Sequence, residues 1–241
     1  KRQKGVNDAK RGQLFTKIGR ELSVAVRHGG PDPESNFHLR LIVQKARENN
    51  MPIDNIDRAI KKASGKGTDN DDLHEVTYEG YGPGGAALIL QAVTDNKNRT
   101  VAEVRSTLTR NGGNLGESGS VAWNFDSKGI ILVGIDKENS EQVALIAIDA
   151  GAEDVKVESS ELEVYTNPED LESVKQELEG NNITVNSAEL SLIPKNIVDL
   201  DKKMALQTLR LMDKLEALDD IQRVFSNADF PVEALRNYEE E

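Results

Sequence analysis

The chain has 241 residues, of which 37% are hydrophobic, 30% are charged and only 4% are aromatic, so its core must be built mainly from aliphatic side chains. The absence of cysteine excludes disulfides, thiolate metal sites and a cysteine nucleophile. The longest apolar runs, at residues 86–90 and 143–148, are far too short to span a bilayer. The lack of cysteine fits a cytoplasmic chain.

The charge is distributed unevenly along the chain. The net charge is −12, but residues 1–66 carry 15 Lys and Arg against 7 Asp and Glu, which gives +8. The other residues carry 15 basic against 35 acidic side chains, which gives −20. A basic segment joined to an acidic body indicates an arm that binds an anionic partner. The alternative is that these charges form a solvated helical surface.

Three helices are predicted in the basic segment from apolar residues at helical spacing and from Pro and Gly at their ends. They cover residues 8–28, 34–50 and 51–65. A polar, acidic linker at 65–72, where the sign of the charge changes, marks the end of a basic helical domain at residues 1–66.

The first helix has one apolar face and one cationic face. Lys10, Lys17, Arg20 and Arg27 fall together opposite the apolar stripe, at steps of seven, three and seven residues. Such a face can bind phosphates, which DNA and RNA both offer. The predicted nucleic-acid-binding residues are Lys1, Arg2, Lys4, Lys10, Arg11, Lys17, Arg20 and Arg27, with Arg40, Lys45 and Arg47 adjoining.

The acidic body is predicted to contain two α/β units. Residues 129–194 follow the order strand, helix, strand, strand, helix, strand, which is ferredoxin-like. Residues 74–128 begin a second unit, in which 120–126 is a predicted strand with Trp123 in the core. A helix and a strand in 195–241 complete this unit. We therefore predict an α+β fold of three domains, in which an inserted ferredoxin-like domain interrupts a discontinuous middle domain.

The stretch YEGYGPGG at residues 78–85 contains the pattern G-x-G-x-x-G at Gly80, Gly82 and Gly85. A dinucleotide-binding fingerprint follows a strand and opens a helix, whereas these glycines precede a strand. The pattern therefore favours a tight turn over a nucleotide site.

A second glycine-rich stretch, residues 111–121, ends the crossover helix that follows the strand at 86–94. The start of that strand and the end of the helix lie at the same end of the sheet, so the two stretches should be neighbours. They are either a contact surface for a phosphate chain or a protein, or simply turns. Lys97 and Arg99, at the opposite end of the sheet, oppose the helix dipole and could contact an anion. The possible loop contacts are Tyr81, Gly82, Gly84, Lys97, Arg99, Gly112 and Gly113.

Catalysis finds no support in the sequence. The three histidines are scattered without metal-binding spacing, and there is no phosphate-binding Walker loop and no nucleophile elbow. We predict no catalytic residues, no metal site and no cofactor.

Several long motifs resemble the YebC/PmpR family, which includes the mitochondrial translational activator of cytochrome c oxidase subunit I. They are DAKRGQLFTKIGREL, NNMPIDNIDRAIKKASG, YEGYGPGGAALIL, TDNKNRTVAEVRSTLTRNGGNLGESGSVAWNF and AGAEDV. The resemblance implies three domains, a cytoplasmic location and a non-enzymatic role in gene expression, without a membrane. It favours a DNA-binding transcriptional regulator. The alternatives are a translation factor that binds the ribosome or its RNA, and an interaction scaffold.

Overall fold

The computed structural model of the chain describes residues 2–65, 73–136, 139–158 and 160–239, with side chains from residue 11 to 238 within those ranges. The predicted linker at 65–72 therefore lies outside the described residues except for Gly65. The chain divides into two compact units, which are residues 1–124 with 196–241, and residues 125–195. No helix within the described ranges is both long and apolar enough to cross a bilayer.

The helices are α1 (Arg2–Gly29), α2 (Phe37–Glu48), α3 (Ile53–Ser64), α4 (Lys97–Arg110), α5 (Ser140–Asp149), α6 (Leu171–Gly180), α7 (Lys202–Glu216) and α8 (Val232–Glu239). The strands are β1 (His74–Tyr81), β2 (Ala87–Thr94), β3 (Asn114–Leu115), β4 (Phe125–Gly134), β5 (Asp154–Glu158), β6 (Glu161–Thr166), β7 (Val185–Pro194), β8 (Val198–Asp199), β9 (Ile221–Ser226) and β10 (Ala228–Asp229).

The first three helices pack around an aliphatic core, as their spacing predicts. Ile18 and Leu22 of α1 meet Leu39 of α2 and Ile56 of α3 in this core. The buried Asn36 fixes the turn between α1 and α2, because its side-chain amide donates to the carbonyl of Ala25 at 2.8 Å while its oxygen caps α2. These contacts position the basic residues of the helical domain on a rigid framework.

The rest of the first unit is built on a four-stranded sheet with the strand order β3-β1-β2-β9. Helices α4 and α7 cover one face of this sheet, with Leu88 and Leu90 of β2 against Leu108 of α4 and Leu211 of α7. Strand β9 pairs antiparallel with β2, so the predicted C-terminal strand does join the sheet begun more than a hundred residues earlier. In the sequence, the second unit is therefore inserted between the two segments that build this sheet.

The second unit has the strand order β5-β6-β4-β7, with all neighbours antiparallel and with α5 and α6 as its helices. This is the predicted ferredoxin-like arrangement. Ile131 and Leu162 are fully buried between the sheet and its helices, together with Leu171 and Leu178 of α6. The predicted α+β class and three-domain layout are confirmed.

The predicted strand at 120–126 is wrong for most of its length. Residues 122–124 form a short 3-10 helix, and the strand that starts at Phe125 is β4 of the second unit. Trp123 is 64% exposed instead of buried in the core. Strand β4 is also continuous from Phe125 to Gly134, so the predicted domain limit at 128/129 falls inside it.

Glycine is required where two backbones approach closely beside the first sheet. A Cβ atom added at Gly113 would lie 2.5 Å from the carbonyl oxygen of Tyr81, so one of the two backbones would have to shift. Gly84 has a φ of +73°, and its added Cβ would lie 2.6 Å from a methyl carbon of Leu200. The glycines in both stretches therefore serve the packing of turns.

The close approach at Gly113 predicts the effect of a single added methyl group. We expect Gly113→Ala to lower the free energy of unfolding by about 1–3 kcal/mol, since the clash is with a backbone carbonyl. Urea denaturation would measure this loss. In the matched variant Gly19→Ala, no atom lies within 4 Å of the added Cβ, so we expect a gain of up to about 1 kcal/mol from helix propensity. Equal effects of the two substitutions would contradict this account.

Candidate nucleic-acid interface

The cationic face of α1 lies against the middle α/β layer. The ammonium group of Lys17 donates to the carbonyl of Glu216, at the end of α7. Arg27 donates to the carbonyl of Leu73 at 2.6 Å. Between them, Arg20 donates to the carbonyl oxygen of Val93 at 3.1 Å, at the end of β2. Three of the cations predicted to bind nucleic acid therefore hold the helical domain on the middle domain.

The carboxylate of Asp220 is the centre of this interface between helix and layer. It accepts from Arg20 of α1 at 2.7 Å and from Arg99 of α4 at 2.8 Å. Thr100 and Thr94 also donate to it, at 2.7 and 3.1 Å. Asp220 is almost completely buried, so its charge is retained only because these donors replace water.

The electrostatics of Asp220 follow from its partners. Burial on its own raises the pKa of a carboxyl group, but the hydrogen bonds from Arg99, Thr100 and Arg20 outweigh it and lower the pKa of Asp220 to about 2. The pKa of the Arg99 guanidinium is raised in turn, chiefly by its hydrogen bonds to Asp220 and Asp95. Asp220 is thus ionised at neutral pH.

The anion that Arg99 meets is therefore part of the protein itself. Arg99 bridges Asp95, at 2.7 Å, and Asp220, although its side chain is still 43% exposed. Lys97, two residues earlier, is exposed. The structure thus explains why a cation is placed against the helix dipole, since Arg99 joins the start of α4 to the turn before β9.

The other predicted cations of α1 and α2 have varied surroundings. Arg11 is exposed, lies over the ring of Phe15 and donates to the carbonyl of Asn50 at 3.1 Å. Lys45 pairs with Glu21 at 2.9 Å. Arg40 lies over the ring of Phe37 and Arg47 is exposed on the last turn of α2. Lys1 lies outside the described residues, as do the side chains of Arg2, Lys4 and Lys10.

Helix α3 adds cations that the sequence-based prediction does not include. Arg58 and Lys61 are exposed and lie three residues apart, on the side of the helix away from the buried Ile56. Their spacing relative to Ile56 is a signal that the sequence contains. We call these two residues, together with Arg11 and Arg47, the helical-domain cations, which are four of the exposed basic side chains of the domain.

The two glycine-rich stretches are neighbours, as the topology predicts. Tyr81 pairs with Asn114, so β1 and β3 join the two stretches directly. Gly82 closes the turn before β2, where its amide donates to the carbonyl of Ala86 at 2.7 Å. Gly112 has a φ of +80° and lies beside the Pro83 ring. Tyr81 is half-buried, and its hydroxyl donates to the carbonyl of Ser120 at 3.3 Å.

Glu79 organises the second stretch from β1. Its buried carboxylate accepts backbone hydrogen bonds from Gly119 at 2.6 Å and from Val121 and Ala122 at 2.8 Å each. Burial raises the pKa of Glu79, but these three bonds outweigh it, so the pKa is lowered. Since the amides of Gly119, Val121 and Ala122 are taken by a carboxylate, they are not available as an anion-binding nest.

Metal chemistry has no geometric support in the described part of the chain, where no three acidic or histidine side chains converge on a common point. The buried carboxylates of Asp220 and Glu79 both accept their hydrogen bonds from donors of the protein itself. What the arrangement offers to an external anion is the positive charge of its exposed cations.

Comparison with known proteins gives a consistent relationship over the whole chain. Residues 1–66 match the model of the TACO1/YebC protein N-terminal domain, and residues 73–228 match that of the TACO1/YebC second and third domain. The probable transcriptional regulatory protein DET0444 of Dehalococcoides mccartyi is 51% identical over 99% of this chain and 94% of its own. A probable transcriptional regulatory protein of Roseiflexus castenholzii is 49% identical over 99% and 95%.

A solved structure shares the fold. The conserved hypothetical protein Aq1575 from Aquifex aeolicus superposes with a TM-score of 0.83 at 44% sequence identity. The match covers 93% of this chain and 92% of that one.

The Asp220 cluster predicts a pH-dependent loss of stability. Asp220→Asn should lower the free energy of unfolding at pH 7 by about 2–3 kcal/mol, because Arg20 and Arg99 lose their charged partner. The pKa of Asp220 is lower in the folded state than in the unfolded state. Its contribution to the free energy of unfolding is therefore present above about pH 4 and is lost as the pH falls towards 2. The difference between wild type and variant should therefore shrink across that window.

Urea denaturation at pH 7 and at steps from pH 5 to 2 would measure both effects. Asp219→Asn is the matched control, since the Asp219 side chain is exposed and accepts a hydrogen bond from Gln13 at 3.1 Å. This substitution should change the free energy of unfolding by less than about 0.5 kcal/mol. A decrease of similar size in both variants would contradict the role given to Asp220.

The backbone hydrogen bonds of Glu79 predict a local effect on the glycine-rich loop. In Glu79→Gln, an amide group replaces one acceptor oxygen, so the amides of Gly119, Val121 and Ala122 lose part of their protection. We expect their hydrogen exchange, followed by NMR, to accelerate about tenfold or more. Glu117→Gln, an exposed position in the same loop, should leave those rates unchanged. Unaltered exchange in Glu79→Gln would refute the assignment.

Proposed function

Because the chain belongs to the TACO1/YebC family, we propose that it is a non-enzymatic regulator of gene expression that binds DNA through its N-terminal helical domain. The family assignment confirms the resemblance that the sequence motifs indicate. Relatives of about half-identical sequence are named probable transcriptional regulatory proteins, which supports a regulatory role here and favours DNA as the partner.

The observation that carries the proposal is the contrast between a helical domain of +8 and a remainder of −20. Phosphates are repelled by the remainder, so binding is confined to the helical domain. Within it, Lys17, Arg20 and Arg27 hold the domain in place, and the helical-domain cations are left for the partner. We propose that the basic residues at 1–10 also bind phosphates, in a cytoplasmic protein without cofactor or membrane attachment.

Because some cations hold the helical domain in place and others are left for the partner, binding should depend on only part of the predicted set of residues. Arg20 is tied to a buried carboxylate, so its replacement should act mainly on stability. Arg11 and Arg47 are exposed, so their replacement should act on binding and leave the fold intact. We propose Arg58 and Lys61 as further phosphate-binding residues of the same surface.

The salt dependence of binding provides the test. Removing one cation that binds a phosphate should reduce the slope of log K against log salt by about 0.9 on duplex DNA, so Arg11→Ala with Arg47→Ala should reduce it by about 1.8. Fluorescence anisotropy with a labelled 30-base-pair duplex between 50 and 300 mM NaCl would measure this. Arg105→Ala with Lys203→Ala, which removes two exposed cations of the middle domain, should leave the slope unchanged.

The same titration distinguishes the partners. Tighter binding to duplex DNA than to an RNA duplex of equal length supports the transcriptional form. Tighter binding to the RNA duplex would favour the ribosomal alternative instead. In that case the protein should also sediment with ribosomal subunits after the DNA has been digested with nuclease. No difference between the double variant and wild type on either nucleic acid would refute the helical-domain interface.

A further inference from the structure

Helix α5 of the inserted unit carries apolar side chains on the face turned away from its own core. Val143 and Ala147 are buried, but Leu145 and Ile148 are 66% and 44% exposed. A helix that is apolar on both sides is typical of one that is covered on both sides. This exposed pair is thus a candidate docking surface.

A groove of about 380 Å³ lies between α5 and α6, on the Asp149 side of this exposed face, and neither Leu145 nor Ile148 is among its lining residues. Leu145 lies one helical turn before Asp149, which places it at the rim. The amide of Asn181 donates to the Glu177 carboxylate at 3.1 Å, which orients that group. The groove is lined by Ile146, Asp149, Ala150, Ser173, Glu177 and Asn181.

The negative charge of the second unit indicates which kind of partner fits this face. Residues 125–195 contain 16 Asp and Glu against 5 Lys and no Arg, a balance of −11 in a chain whose total is −12. Two copies of this face would repel each other, so self-association through it is disfavoured. An apolar stripe beside two carboxylates instead complements a segment that is apolar on one side and cationic on the other.

We propose that the outer face of α5, together with the acidic rim of the adjoining groove, is a docking site for a basic amphipathic helix of a partner protein. Its apolar residues would pack on Leu145 and Ile148, and its lysines or arginines would meet Asp149 and Glu177. The proposal is independent of nucleic-acid binding, which concerns residues 1–66. It gives the acidic unit a protein partner while the basic domain binds phosphate.

Methyl NMR on the full chain would locate the docking site. The probe is an 18-residue peptide of Leu and Lys at helical spacing, with a second peptide in which Glu replaces every Lys as the control. We expect the methyl signals of Leu145, Ile146 and Ile148 to shift with the basic peptide only, and that of the exposed Ile197 to stay in place. Shifts spread evenly over the exposed methyl groups, or absent from α5, would overturn the proposal.

Matched variants test the energetics of docking. Leu145→Ser with Ile148→Ser should weaken binding of the labelled basic peptide about tenfold or more, as should Asp149→Asn with Glu177→Gln. Ile197→Ser and Glu169→Gln remove an exposed apolar and an exposed acidic side chain elsewhere and should have no effect. Equal peptide affinity in all variants would overturn the site. The proposal would also be overturned if light scattering showed that the wild-type protein is a dimer and that Leu145→Ser converts it to a monomer.

Discussion

The buried carboxylate of Asp220 is the constraint on which the first unit depends. It receives Arg20 from α1, Thr94 from the end of β2, and Arg99 and Thr100 from the start of α4. A charge removed from water is tolerated only when its donors are all in place, so these elements must meet in one arrangement. The domain that carries the basic charge is thereby held on the α/β layer.

This constraint separates the cations of the helical domain by role. Those that point to the middle domain satisfy carbonyl and carboxylate oxygens there, and others remain exposed to solvent. The first group includes Lys17 and Arg20, whose partners lie about 200 residues away in the sequence. The second group includes Arg11 and Arg47. The net charge of a segment therefore overstates what it can offer to a polyanion.

The parts of the fold that depend on local spacing could be predicted from the sequence, and the parts that depend on distant partners could not. The helices of the basic segment and the order of the ferredoxin-like unit follow from periodicity. A helical wheel places Arg20 opposite Leu22 correctly, but it contains no information that Asp220 will cover it. The prediction for Trp123 is wrong for the same reason, because Glu79, 44 positions earlier, captures the amides around it.

The two kinds of charge interaction should also respond differently to salt. Ions screen exposed charges over about 10 Å at 0.1 M, but they reach the Arg20–Asp220 pair poorly because Asp220 is buried. Salt that releases a polyanion from the exposed cations should thus leave the helical domain in place on the middle layer. The framework that presents the basic surface then persists whether or not a partner is bound, so little ordering is needed when one binds. Such preorganisation favours rapid, reversible association through long-range attraction.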